Sequence, residues 1–197
     1  MRPAGPAAGR RRCRAAAGLL LAALAVAACS SASAAGNGYV SGDGTVTTYP
    51  AADRKSAPAV TGPTLEGGQL SLASYRGKVV VVNFWGSWCP PCRLEGPFLQ
   101  YMSSHYAARG VQFVGVDLRD DAASARAFLQ NIGATYPNLF DGPDGLLVLK
   151  FSDVVPPQAT PSTLVIDRRG RIAVRILGPT TEPVLASILA PLIAEKA

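Results

Sequence analysis

Continuous β-branched runs alternate along this chain with stretches whose apolar residues recur near every 3.6 positions. Residues 78–85 (KVVVVNFW) are almost unbroken in apolar character, as expected of a central strand buried on both faces. Residues 111–117 (VQFVGVD) make a second buried strand. Between them, residues 90–108 carry Leu94, Phe98, Leu99 and Met102 at helical spacing, and Arg109-Gly110 stops the pattern. Residues 122–132 predict a second helix, ended by Gly133. Residues 163–167 (TLVID) and 171–177 flank the turn residues Arg168-Arg169-Gly170 and predict a hairpin. A final helix from residue 182 carries Val184, Leu185, Ile188, Leu189 and Leu192, with Pro191 expected to kink it. Upstream, Gln69-Leu70-Ser71-Leu72 follows Glu66-Gly67-Gly68 as the second arm of a small hairpin. The order β-α-β-α-β-β-α predicts an α/β domain over residues 58–197, its central sheet carrying helices on both faces. A domain of that length buries roughly two-thirds of its unfolded surface.

Charge changes the picture at the N-terminus. The 197-residue chain has a formal net charge of +6, but five of its 19 Lys+Arg (Arg2, Arg10, Arg11, Arg12, Arg14) lie within the first 14 residues. From Cys29 onward there are 14 basic and 13 acidic residues, a net charge of +1. The remaining positives form neither a basic stripe nor a nucleic-acid reader motif, so nucleic acid is excluded as a partner. Residues 18–28 (GLLLAALAVAA) are an apolar run too short for the roughly 20 residues of a spanning helix. A basic segment followed by a short apolar one predicts an export signal over residues 1–28. Val26-Ala27-Ala28-Cys29 resembles the bacterial lipobox, which implies cleavage before Cys29, a lipid on its thiol and a place on the outer face of the cell membrane. The competing reading is ordinary cleavage within Ala32-Ser33-Ala34-Ala35, which would release a secreted protein. Arg10-Arg11-Arg12 also allows twin-arginine export, although the rest of that motif is poor. Residues 29–57, rich in Ser, Ala, Gly and Thr, read as a flexible tether.

Candidate chemistry lies in the cysteines. Of the four, Cys13 would leave with the signal and Cys29 would carry lipid, so Cys89 and Cys92 remain. One close pair is no disulfide framework, and so short a loop constrains the unfolded chain little. The pair stands where a buried strand passes into a helix, in Trp88-Cys89-Pro90-Pro91-Cys92. Unpaired N–H groups and the helix dipole there favour thiolate over thiol at Cys89. Cys92, one turn further in, is placed to attack a mixed disulfide and resolve it. The competing readings are an inert disulfide, a zinc site and a copper site. Zinc wants four ligands, and beyond the pair the chain has only His105, on the exposed side of the first helix. No metal and no cofactor beyond the redox-active pair is expected. The Thr-x-x-Cys arrangement of peroxidases is missing. Trp85 reads as a core residue and Trp88 as the apolar rim of the substrate site. Asp120-Asp121 reads as a helix N-cap region, and Asp167 with Arg168-Arg169 as a turn and a solvated face.

Asn83-Phe84-Trp85-Gly86-Ser87-Trp88-Cys89-Pro90-Pro91-Cys92-Arg93, with the hairpin and Gly77-Lys78 before it, resembles the thioredoxin superfamily, and within it the TlpA/ResA-like branch of exported thiol–disulfide oxidoreductases. Thr160-Pro161-Ser162-Thr163-Leu164-Val165-Ile166-Asp167 resembles the family's cis-proline segment. The resemblance implies a thioredoxin-like fold, a mixed central sheet flanked by helices with an N-terminal hairpin extension. It also implies a cis Thr160-Pro161 bond facing Cys89 and substrate backbone docked on Thr160 and Pro161. The implied partners are thiols and disulfides of exported proteins. As a reductant the chain would act on apocytochrome c, supplied by a membrane electron carrier; as an oxidant it would form disulfides in newly exported proteins. A thioredoxin-fold lipoprotein that only binds proteins is the non-enzymatic alternative. Two positions depart from the thioredoxins proper. Asn83 replaces a buried Asp six residues before Cys89, so Cys92 loses that proton acceptor. Glu95 is the nearest carboxylate, either a proton-transfer group or a solvated first-turn carboxylate. Pro90 and Pro91 bring no N–H to Cys89, which is expected to leave its thiol less acidified than in strong oxidants.

Overall fold

The structure, a computed structural model, describes residue 1 and residues 38–41 and 45–196. The expected export signal, Cys13, the Cys29 lipid site and the start of the expected tether lie outside these residues. In chain order the elements are β1 (Gly38–Ser41), β2 (Thr45–Thr48), β3 (Thr61–Pro63), β4 (Gln69–Ser71), β5 (Val79–Trp85), α1 (Pro90–Tyr106), β6 (Val111–Asp117), α2 (Ala122–Asn131), β7 (Asn138–Phe140), β8 (Ser162–Ile166), β9 (Ile172–Leu177) and α3 (Glu182–Ala194). Seven strands form one sheet in the order β1-β2-β9-β8-β5-β6-β7, while β3 and β4 pair as a separate hairpin. β5, β6 and β7 run parallel, and every other pairing is antiparallel. The sheet is therefore mixed, flanked by helices, and thioredoxin-like.

All seven residues of β5 are buried, which explains its unbroken apolar run. Val79 and Val81 face a core with Leu99 and Met102 of α1 and Leu185, Leu189 and Leu192 of α3. Trp85, on the same side, packs with Ala125 and Leu129 of α2. Val80, Val82 and Phe84 point the other way, into a core with Leu70, Leu72, Val148 and Phe151. That second face is covered by the β3–β4 hairpin and two short 3-10 helices, Leu72–Tyr75 and Val148–Phe151. The three α-helices thus gather on one face, where the alternating pattern predicts one on each. β5-α1-β6-α2-β7 steps twice in one direction across the sheet, and two right-handed crossovers in one direction place both helices on one side.

The segment expected as a tether over residues 29–57 includes folded structure. β2 pairs with β9, with Val46 opposite Ile176, and β1 pairs with β2. The next residues are also fixed: Tyr49 N–H donates to Ala173 O at 2.8 Å and Ala57 N–H to Gly170 O at 2.9 Å. Arg54 bridges Asp167 at 3.2 Å and Glu195 at 2.6 Å. Thr45-Val46-Thr47-Thr48 is a β-branched run that counts as polar in composition but as strand in shape. The folded domain starts at residue 38, not 58.

Three smaller details complete the fold. Asp167, read as part of a solvated turn, is only 3% exposed. Burial pushes its carboxyl up, but bonds from Arg171 and Arg54 outweigh that and hold it below the usual carboxylate range. α3 continues through Pro191 to Ala194. β7, three residues long, was not predicted, and its Asn138 accepts from Trp85 Nε1 at 3.0 Å directly above Gly115. A Cβ at residue 115 would collide with the Asn138 side chain, so glycine is required beneath that bond.

Candidate active site

β5 ends at Trp85, and four residues later Cys89 caps α1. Cys89 adopts an extended backbone, φ −92° and ψ 108°, as an N-cap must. Pro90 and Pro91 fill the first turn, where a missing N–H leaves no intrahelical bond unmade. Cys92 N–H is the first available donor and points at Cys89 Sγ, 3.3 Å away. The two sulfurs are joined in a disulfide with Cα atoms 5.3 Å apart. Both cysteines are almost fully buried, Cys89 at 1% and Cys92 at 2% exposure.

The Thr160-Pro161 peptide is cis, as the resemblance implies. Ser162, the next residue, pairs with Phe84 on β5, so Pro161 reaches the sheet end from which the Cys89 loop departs. Pro161 is buried, and Thr160 is half-buried with an unpartnered hydroxyl. Trp88 is half-exposed, and its indole N–H donates to Leu118 O at 3.0 Å. Its ring lies across Gly86, where a Cβ would stand 2.5 Å from Nε1. Trp85, read as core, is buried. His105 is exposed near the other end of α1, stacked on Tyr101 with ring centroids 5.7 Å apart. Among the described residues, no group of three or more His, Cys, Asp or Glu is arranged to hold a metal.

Glu95 departs from the solvated reading. It is 3% exposed, one helical turn beyond Cys92 on the same buried face of α1. Asn83 Nδ2 donates to its Oε1 at 2.8 Å, and Thr180 N–H donates to its Oε2 at 3.2 Å. Burial pushes its carboxyl up to about 7, against the opposing pull of those two bonds. Asn83 cannot take a proton, but it orients a group that can. Asn83 Nδ2 also lies 3.3 Å from Thr163 Oγ1 on β8. Nothing local in the sequence points to Thr180, which meets Glu95 from 85 residues away. Asp121 is the N-cap of α2, with Ser124 N–H donating to its Oδ1 at 2.9 Å. Asp120 instead binds the active-site loop, accepting from Ser87 N–H at 2.5 Å and from Ser87 Oγ at 3.0 Å.

A cysteine pair capping a helix at the end of a thioredoxin-like sheet, with a cis-proline at that same end, marks a thiol–disulfide oxidoreductase. Comparison with known proteins gives the family. Residues 54–175 match the model described as the AhpC/TSA family, and the chain belongs to that family. It is 37% identical over 121 residues to the thiol:disulfide interchange protein HelX of Rhodobacter capsulatus, a match covering 61% of this chain and 64% of HelX. With the thiol-disulfide oxidoreductase ResA of Geobacillus thermodenitrificans it shares 34% identity over 127 residues, covering 64% of this chain and 70% of ResA. Its fold is similar to the crystal structure of a secreted thiol-disulfide isomerase from Corynebacterium glutamicum, with a TM-score of 0.71 and 31% identity, covering 76% of this chain and 92% of that one. The peroxidase arrangement is absent here, because Gly86 stands three residues before Cys89, under the Trp88 ring.

Proposed function

We propose that this chain is an exported, lipid-anchored reductant of protein disulfides. The reading rests above all on Cys89 as a helix N-cap whose first turn supplies one thiolate donor, the Cys92 N–H, where a proline-free turn could supply more. In the reduced form, Cys89 thiolate attacks one sulfur of a substrate disulfide; that bond breaks, a mixed disulfide forms, and the first substrate thiolate leaves and takes up a proton. Glu95 then accepts the Cys92 proton. Cys92 thiolate attacks Cys89 Sγ, the bond from Cys89 to the substrate sulfur breaks, the second substrate thiolate leaves and takes up a proton, and the pair is left oxidised. Two electrons from a membrane electron carrier restore the dithiol. Substrate backbone lies along Thr160 and Pro161, with Trp88 bordering it. Exported proteins are the substrate class, and apocytochrome c, with its Cys-x-x-Cys-His, is the substrate proposed within it.

The reduction potential tests the direction. Equilibration of the Cys89–Cys92 pair with glutathione buffers is expected to give a value nearer thioredoxin's, about −270 mV, than DsbA's, about −120 mV. A value at the oxidising end, or a Cys89 thiol titrating near 3.5 as in DsbA, would overturn the reductant reading in favour of disulfide formation. No helix among the described residues is long and apolar enough to cross a membrane, so the proposed anchor is the lipid on Cys29. Cys29→Ala is expected to move the protein from the membrane fraction to the medium; unchanged fractionation would remove the anchor from the proposal.

A further inference from the structure

Asp117 ends β6 fully buried, yet neither of its carboxyl oxygens has a hydrogen-bond donor within reach. Its neighbours across the sheet are Trp85 on β5 and Phe140 on β7. The charged groups that face it are themselves carboxyls: Asp120 from the loop leading to α2, and Asp141 just beyond β7. Arg119, between Asp117 and Asp120 in sequence, is exposed; it reaches Pro157 O at 3.3 Å and acts on Asp141 rather than on Asp117. An anion at Asp117 would lose its hydration, find no donor and meet two like charges, so the neutral acid is the form that fits. Burial first, then Asp120 and Asp141, push its carboxyl up to about 8. A neutral carboxyl has one O–H to place, and Asp120 is the neighbouring carboxylate that could accept it.

Asp120 is also what holds the loop before Cys89. It accepts both the backbone N–H and the hydroxyl of Ser87, while Leu118 O accepts the Trp88 indole N–H. Both ties run to the segment 118–120. That segment turns sharply, with Arg119 at φ +47°, the one non-glycine residue in the left-handed region among the described residues.

We propose that Asp117 is a positioning residue of the active site: as the neutral acid it donates to Asp120, holds that carboxylate onto Ser87, and so fixes loop 86–88 against Cys89. The proposal deepens the oxidoreductase reading and rests on it. Loss of the Asp117 proton would set two anions face to face, drive Asp120 away and release Ser87. The site therefore loosens as pH rises, independently of either cysteine.

The full-length oxidised protein separates this from thiol titration, because neither disulfide sulfur takes a proton. A Glu95→Gln background removes the buried carboxyl one helical turn beyond Cys92, which is expected to titrate near 7. The chain has two tryptophans, Trp85 and Trp88, both at the site, so their fluorescence reports on the loop. A fluorescence transition centred near pH 8 is expected, and it should vanish in Asp117→Asn, whose amide donates to Asp120 without titrating. With Glu95 intact, Asp117→Ala is expected to lower kcat/KM for disulfide reduction about tenfold, within the range that misplacement of reacting groups produces. Asp117→Asn should recover most of that loss. An unchanged transition in Asp117→Asn, or equal rates for the Ala and Asn variants, overturns the proposal alone. A parent protein that shows the transition but reduces no disulfide overturns the oxidoreductase reading, and this proposal with it.

Discussion

Cys89→Ser is expected to abolish disulfide reduction, lowering the rate by at least ~10³-fold, whereas Cys92→Ser is expected to attack once and stop. The asymmetry follows from position. Cys89 is the helix cap, with the Cys92 N–H directed at its sulfur, so it is the thiol whose anion the helix start stabilises. A serine hydroxyl there stays protonated at neutral pH and cannot displace a sulfur. Cys92 lies inside the first turn, and its proposed task is attack on Cys89 Sγ. Its loss leaves the mixed disulfide intact. Insulin reduction should show the first effect, and a substrate adduct on a non-reducing gel the second. Turnover by Cys89→Ser, or an adduct formed through Cys92 in that variant, would reverse the roles. A protein that only bound its partners would bind them equally well with serine at 89.

Glu95→Gln is expected to slow the resolving step about 10- to 100-fold at pH 8, the lower part of the range for general acid–base catalysis. Parent activity should rise through pH 7, where the buried carboxyl becomes able to accept the Cys92 proton, and the Gln variant should lose that rise. Stability should move the other way. The folded-state value of about 7 lies above the ordinary 4.5, so the folded protein holds this proton more tightly than the unfolded chain. That contribution is complete below pH 4.5 and is lost as pH rises through 7. The shift is worth about 3 kcal/mol as an order of magnitude. Gln also leaves one of the donors from Asn83 and Thr180 poorly matched, a cost that does not vary with pH. Urea denaturation of the oxidised proteins at pH 4 and pH 8 should therefore show the variant gaining on the parent by roughly that amount. A pH-independent difference would mean that Glu95 does not titrate where its burial implies. Both results together would make Glu95 a local trade of stability for chemistry.

The elements legible in the sequence are those whose signal is complete within a few residues. β5 and β6 carry unbroken β-branched runs, α1 begins at Pro90-Pro91 and ends before Gly110, and β8 and β9 flank a Gly170 turn. The reactive pair and the cis-proline belong to the same class. The remainder depends on distant partners. β2 is a strand because β9 lies beside it, and Thr47 Oγ1 accepts from Arg175 Nη2 at 3.4 Å, 128 residues away. β7 is too short to alternate visibly. Glu95 looks like any first-turn carboxylate until Asn83 and Thr180 close over it. Asp117 looks like the end of a strand until β5, β7 and Asp120 leave it with no donor. Sequence patterning thus locates the sulfurs, whereas the buried carboxyls around them come from packing.

In the proposed lipid-anchored form, pairing of β1 with β2 would set how far the domain can stand from a bilayer. With lipid on Cys29, only residues 30–37, eight in number, precede β1. Fully extended, eight residues reach about 28 Å. The 28 residues from 30 to 57 would have reached about 98 Å. If the proposed lipid is on Cys29, the start of β1 stands within about 28 Å of the headgroups. A domain held in that way would meet chains still emerging from the membrane, and electron donors embedded in it, more often than proteins released into the surrounding space.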